Sequence, residues 1–210
     1  PPERFNSRLS MSGILNDNFT DKYPMKQVRA YTDLYKDAIR LMNSSDIKAF
    51  DISAEPAHIH EMYGDSNFGQ GCLLARRLVE NKVRYVEVTR GGWDTHDDNF
   101  TRVEENCVDI DKAIGALLMD LERRGMLSET LVVLTSEFGR TPDINPRNGR
   151  DHWPNAFSAM FAGAGIKGGA VYGSSDDHGK RVVEDPVKPE DLNATIARLL
   201  GISTLDIHYS

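Results

Sequence analysis

Two short β-branched runs flank one long amphipathic pattern, and that order constrains the fold more than any other feature of the chain. VRYVEV at 83–88 and LVVLTS at 131–136 read as strands. Between them, residues 101–124 set Val103, Cys107, Ile110, Ile114, Leu117, Leu118 and Leu121 along one helical face. Thr101 and Glu104 are spaced as a capping box, and Gly125 closes the helix. Strand, helix, strand in this order predicts a βαβ unit with a right-handed crossover. The uninterrupted apolar character of the second run is what a parallel strand covered on both faces requires. Ligands of open α/β sheets collect beyond the carboxyl ends of parallel strands. The pattern therefore brings GGWDTHDD (91–98) and EFGRTP (137–142) to one rim.

The remaining elements follow from local spacing. Residues 24–44 carry Met25, Val28, Tyr31, Leu34, Tyr35, Ala38, Ile39 and Met42 three and four apart, with Pro24 as helix opener. The stretch after Phe50 is broken by Pro56, Gly64 and Gly69 and reads as loop with at most a short helical turn. A helix follows from Phe68 with Leu73, Leu74, Leu78 and Val79 on one face. Downstream, AFSAMFAGAG and AVYG read as short strands. PEDLNATIARLLG reads as a helix opened by Pro189 and stopped by Gly201.

At 210 residues, 40% hydrophobic and 27% charged, the chain matches an ordinary globular domain. Its net charge of −7 disfavours non-specific binding to nucleic acid or to anionic membranes. No run is long and apolar enough to span a bilayer, and PPERFNSRLSMSG lacks the regions of a signal peptide. The first residue is not Met, so the chain is expected to be a processed or trimmed piece. Cys72 and Cys107 sit in helical patterns without CxxC spacing, which predicts two buried thiols.

Four polar groups crowd into 94–98. Asp94 and His96, two apart in a loop, can aim a carboxylate and an imidazole at one ion, a donor pair suited to zinc, manganese or iron. Asp97 and Asp98 are assigned instead to the start of the following helix, whose dipole favours negative charge. Glu137, just past the second strand, needs a partner if buried, either Arg140 or a metal. His152 lies beside Asp151, which can fix its tautomer or ligate directly. Arg140, Arg147 and Arg150 either converge as forks for phosphate, sulfate or carboxylate, or stand solvated. His58 and His60 read as solvated, His178 as an exposed turn residue, and His208 as lying near the chain end. There is no GxSxG, Walker A or GxGxxG motif.

YGDSNFGQGCLLARRLVE, VRYVEVTRGGWDTH, LSETLVVLTSEFGRTP, GRDHWPNAFSAMFAGAGIKGGAVYGSSD and VKPEDLNATIARLLGI resemble the bacterial family called domain of unknown function 1501. That family is grouped with the alkaline phosphatase and sulfatase superfamily. The resemblance implies a three-layer α/β/α sandwich with a mostly parallel sheet, incomplete at its N-terminus. It further implies one domain over 1–210, with a helical and loop lead-in at 1–66 and a sheet-forming core at 67–205. WDTH, TSEFG and GRDH resemble the superfamily's metal-binding segments and imply Asp94, His96, Glu137 and His152 as ligands of a divalent ion (zinc, manganese or calcium). Arg140 and Arg150 would bind the oxyanion. Phe138 stands where the superfamily carries a further histidine. The superfamily's nucleophile comes from an upstream Asp-Gly-containing motif, so it is expected before residue 1. The activity implied is metal-dependent hydrolysis of sulfate or phosphate esters on a small molecule or glycan, in a periplasmic or secreted protein. The alternative is an exported binding or scaffold protein that keeps the fold without catalysis.

Overall fold

A computed structural model describes residues 2–203. Pro1, His208 and the expected end of the core at 204–205 lie outside the described residues. The chain forms two compact units, one up to Asp51 and one from Ile52 onward.

The first unit is helical. Helix α1 (Pro2–Lys22) was not anticipated from the sequence, whereas α2 (Lys26–Met42) follows the spacing expected there. Pro24 separates the two, since it has no N–H to give and biases Tyr23 away from helical torsions. The helices meet at Thr20 and Thr32, whose hydroxyls lie 3.5 Å apart. A 3-10 turn (Ser45–Phe50) follows, with the Ser44 hydroxyl accepting from Asp46 N–H.

The second unit is built on α3 (Ala57–Tyr63), α4 (Asn67–Glu80) and α5 (Asn99–Arg123). Ile59, Tyr63, Phe68, Cys72, Leu73, Ala113 and Ala116 form its buried cluster, with Val88, Ile110, Ile114 and Leu117 packed around it. Each large aliphatic side chain fully buried there contributes about 1.5–3 kcal/mol. The turn from α3 into α4 brings backbones into contact. A Cβ on Gly69 would lie 2.2 Å from the Tyr63 carbonyl oxygen, so the position demands glycine. Ser66 caps α4 by accepting from Gly69 N–H at 3.0 Å. Cys72 is buried as expected, but Cys107 is exposed on the outer face of α5.

A buried ionic network, invisible in the periodicity, joins α4 and α5. The Arg76 side chain is fully enclosed, yet it reaches three carboxylates: Glu55 at 2.8 Å, Glu80 at 2.7 Å and Asp120 at 2.8 Å. Arg77 also pairs with Glu55, and Arg124 with Asp120 and Glu80. Tyr63 donates to Asp120 at 3.2 Å. The enclosed guanidinium is thus tolerated because anionic partners surround it.

The expected parallel sandwich is not formed. The protein is about 52% helical, and its strands are short antiparallel pairs. VRYVEV is not a strand. Val88 packs on the helical cluster, Arg90 pairs with Asp109 at 2.8 Å, and Tyr85 and Val83 stay exposed. LVVLTS supplies β1 (Val132–Leu134), but the partner is β4 (Met160–Ala162), antiparallel, with Val133 opposite Phe161. There is accordingly no βαβ crossover among the described residues. The reason is that β-branched patterning records a preference for a pleated, half-buried surface, while the partner and its direction are set by distant chain. Two smaller pairs follow: β2 (Gly139–Arg140) with β3 (His152–Trp153), and β5 (Ser174–Ser175) with β6 (Val182–Glu184). AVYG lies just before β5 and is not itself a strand. Helix α6 (Pro189–Leu199) opens on Pro189 as expected and gives way to Gly201, whose φ is +76°. No helix among the described residues is long and apolar enough to cross a membrane.

Candidate metal centre

Two loops build the site, and hydrogen bonds tether each of them. In the first, Asn106 of α5 donates to the Gly92 carbonyl at 3.0 Å, tethering the chain where Gly92 has φ +92°. Thr95 is completely buried, and its hydroxyl donates to Asn99 at 2.7 Å. With Thr95 turned inward, its neighbours Asp94 and His96 share the open side, and the Asp94 Oδ1 to His96 Nε2 distance is 3.0 Å. Asp98 is the N-cap of α5 and accepts from the Thr101 hydroxyl at 2.9 Å, while Asp97 pairs with Arg102. Both acids thus bond side chains of the first turn and not its backbone N–H groups, and Thr101 lies inside the helix rather than at its cap.

The second loop runs from β2 to β3, whose register sets Arg140 opposite His152. Cross-strand partners lie side by side on one face, so both reach the same group. The loop is docked on the first by Arg150 N–H to the Thr95 carbonyl at 2.9 Å and Asn99 N–H to the Asn148 carbonyl at 3.0 Å. The approach is so close that a Cβ on Gly149 would fall 2.0 Å from the His96 carbonyl.

Docking assembles three donor atoms. Asp94 Oδ1 lies 2.9 Å from His152 Nε2, and the two histidine Nε2 atoms lie 3.1 Å apart. Asp94, His96 and His152 form the one group among the described residues able to offer three ligand atoms to a metal ion. Bond lengths of about 2.0–2.2 Å set neighbouring donors roughly 2.8–3.6 Å apart, depending on coordination geometry. The observed spacings fall in that range, so the residues fit a small cation. Two imidazole nitrogens and one carboxylate oxygen are also the donors that first-row divalent metals take.

Neighbours tune the triad. Arg140 Nη1 donates to Asp94 Oδ1 at 3.0 Å. The hydrogen bond from His152, followed by that from Arg140, holds the Asp94 carboxyl down at about 2, against a smaller opposing effect of desolvation. Phe138 tilts against the His152 ring at 4.5 Å between centroids, and His152 in turn against His96 at 4.7 Å. His96 Nδ1 lies 2.7 Å from Asp151 Oδ1. Asp151 therefore serves His96, not the adjacent His152 as the sequence allowed.

The other predicted residues are placed differently. Glu137 is exposed, three residues beyond the end of β1, and does not belong to the three-donor group. An exposed carboxylate needs neither a metal nor an arginine to offset its charge. Arg150 Nη1 is turned onto the carbonyls of Thr141 and Pro142 at 2.7 and 2.6 Å, and its guanidinium lies 5.9 Å from the Phe100 ring centre. It braces the loop. Arg147 contributes to the docking through its carbonyl, which accepts from Asp98 N–H at 3.3 Å. His58 is exposed, while His60 contacts Gln70 Oε1 at 2.7 Å and the Ile52 carbonyl at 3.0 Å. Sequence reasoning missed Asn145, whose amide joins the two loops by donating to the His96 carbonyl at 2.9 Å. Its place in the turn-forming string DINPRNG was the available signal.

A family model described as "Protein of unknown function (DUF1501)" matches residues 1–210. No curated protein and no solved structure matches the chain.

Proposed function

Because this chain belongs to the DUF1501 family and folds Asp94, His96 and His152 onto one point, we propose that it is a metal-dependent hydrolase of sulfate or phosphate esters. The observation that carries the reading is the convergence of one carboxylate oxygen and two imidazole nitrogens from loops more than fifty residues apart. Two nitrogen donors favour zinc over calcium, which prefers an all-oxygen shell, with manganese between them. A divalent ion held by Asp94, His96 and His152 would supply Lewis-acid chemistry, polarising an ester oxygen and acidifying water. Asp94 stays ionised under the influence of His152 and Arg140, ready to ligate. Arg140, fixed beside Asp94, brings a guanidinium to the edge of the site, where an ester oxyanion can meet it.

Ester substrates on small molecules or glycans and kinship with the alkaline phosphatase and sulfatase superfamily rest on the motifs WDTH, TSEFG and GRDH, and a periplasmic or secreted location rests on the family resemblance. The test has two parts. Titration with zinc and with manganese should give one ion per chain, and His152→Ala should lower affinity at least tenfold. Screening the full-length protein, with the upstream nucleophile the resemblance implies, against aryl sulfates and phosphate mono- and diesters should then find turnover that a chelator abolishes. Metal binding without turnover would replace the hydrolase by a metal-binding scaffold. Absence of binding would remove both.

A further inference from the structure

We infer that Asp151, braced by Asn145, is a positioning residue that holds His96 in its Nδ1–H tautomer and so presents a bare Nε2 to the metal centre. The inference rests on the metal reading above for its purpose, but its geometry can be tested without any metal.

The proton on His96 Nδ1 is placed by groups that can act in one way only. The Asn145 side-chain oxygen accepts from the backbone N–H groups of Arg147 and Gly149, each at 2.9 Å. Backbone N–H groups can only donate, so the amide cannot be flipped, and its Nδ2 must be the donor on the opposite side. That Nδ2 reaches the His96 carbonyl at 2.9 Å and Asp151 Oδ1 at 3.1 Å. The Asp151 backbone is clamped as well: its N–H donates to the Thr141 hydroxyl at 3.0 Å and its carbonyl accepts from Thr141 N–H at 2.8 Å. The carboxylate oxygen facing His96 Nδ1 is therefore a fixed acceptor, and the ring nitrogen 2.7 Å away must carry the proton. A neutral imidazole with its proton on Nδ1 has its lone pair on Nε2, the atom that lies 3.0 Å from Asp94 Oδ1 and 3.1 Å from His152 Nε2.

His152 supplies an internal contrast. Its Nε2 also faces the centre, but among the described residues no hydrogen-bond partner is seen at its Nδ1, and its ring is held by packing on Phe138 instead. The two imidazoles are thus oriented by different means, one by a carboxylate and one by an aromatic ring. Only the first should respond to a change at position 151.

The experiment reads tautomers by long-range nitrogen–proton NMR on the metal-free protein at a pH where both rings are neutral, alongside zinc affinity measured by competition with a chelator. Wild type should show His96 as Nδ1–H. Asp151→Ala should shift His96 toward Nε2–H, leave the His152 signal unchanged, and weaken zinc binding roughly 10–100-fold, the usual effect of removing such an outer carboxylate. Asp151→Asn, which keeps the side chain's shape and one acceptor oxygen, should recover part of both the tautomer and the affinity. It also keeps the test open if the alanine variant does not fold. An Nε2–H tautomer in wild type, or an alanine variant that folds with His96 unaltered and zinc affinity within twofold of wild type, would overturn the inference. The locked Nδ1–H tautomer in a wild-type protein that binds no zinc would instead uphold the positioning and bring down the metal reading.

Discussion

Replacing Arg76 by Met removes a charge from the most enclosed ionic cluster among the described residues while keeping most of the apolar stem that packs between α4 and α5. Its partners Glu55 and Asp120 are themselves only 9% and 5% exposed, so they cannot turn to water once the guanidinium is gone. Breaking a buried pair from one side costs about 3–5 kcal/mol, because a buried charge is left without compensation. Arg77 still serves Glu55 and Arg124 still serves Asp120, which places the expectation at the lower end, about 3 kcal/mol. For a unit of this size each kcal/mol lowers Tm by about 2–4 °C, so the loss should be roughly 6–12 °C.

Trp93 and Trp153 both belong to the unit that begins at Ile52, so urea unfolding followed by tryptophan fluorescence reports on that unit. The pH dependence has a definite sign. Burial works to raise the Glu55 carboxyl, but hydrogen bonds from Arg76 and Arg77 outweigh it and hold the group below its ordinary value. A folded value below the unfolded one means stability that is present above about pH 4.3 and is lost as pH falls through the lower, folded value. The deficit of Arg76→Met should therefore narrow as pH is taken from 7 toward 3. A deficit under about 1 kcal/mol at pH 7 would refute the account, since it would make the cluster no stronger than a surface pair.

Other variants probe the site and its supports. Gly149→Ala forces a methyl group into the His96 backbone, so the loops must part; about 1–3 kcal/mol of stability and a measurable share of metal affinity should be lost together in melting and titration experiments. Glu137→Gln should leave metal affinity within twofold of wild type, because this exposed residue lies outside the three-donor group; a tenfold loss would show that it ligates. Burial, helped by Asp109, pushes the Cys72 thiol up to about 12, while Cys107 is exposed. A thiol reagent should thus modify one cysteine in the native protein and two after denaturation.

The helices α2, α4, α5 and α6 could be read from the chain because their signal is local: apolar residues three and four apart, with a proline near the start of α2 and α6 and a glycine just past the end of α5 and α6. The pairing of Asp94 with His96 was legible for the same reason, being two residues apart beside a helix start. Tertiary structure alone decided the rest. VRYVEV has the composition of a strand, but a strand exists only with a neighbour, and the helical cluster took Val88 instead. LVVLTS found its partner nearly thirty residues downstream and running the opposite way. Arg76 looks like any charged helix residue in LLARRLVE, and only the arrival of Glu55 and Asp120 makes it a buried one. His152 joined Asp94, and Asp151 chose His96 over its own neighbour, because the docking of two loops set those distances. Local spacing encodes what a segment prefers to be, whereas the contacts that give a side chain its chemistry are made by residues that meet only when the chain has folded.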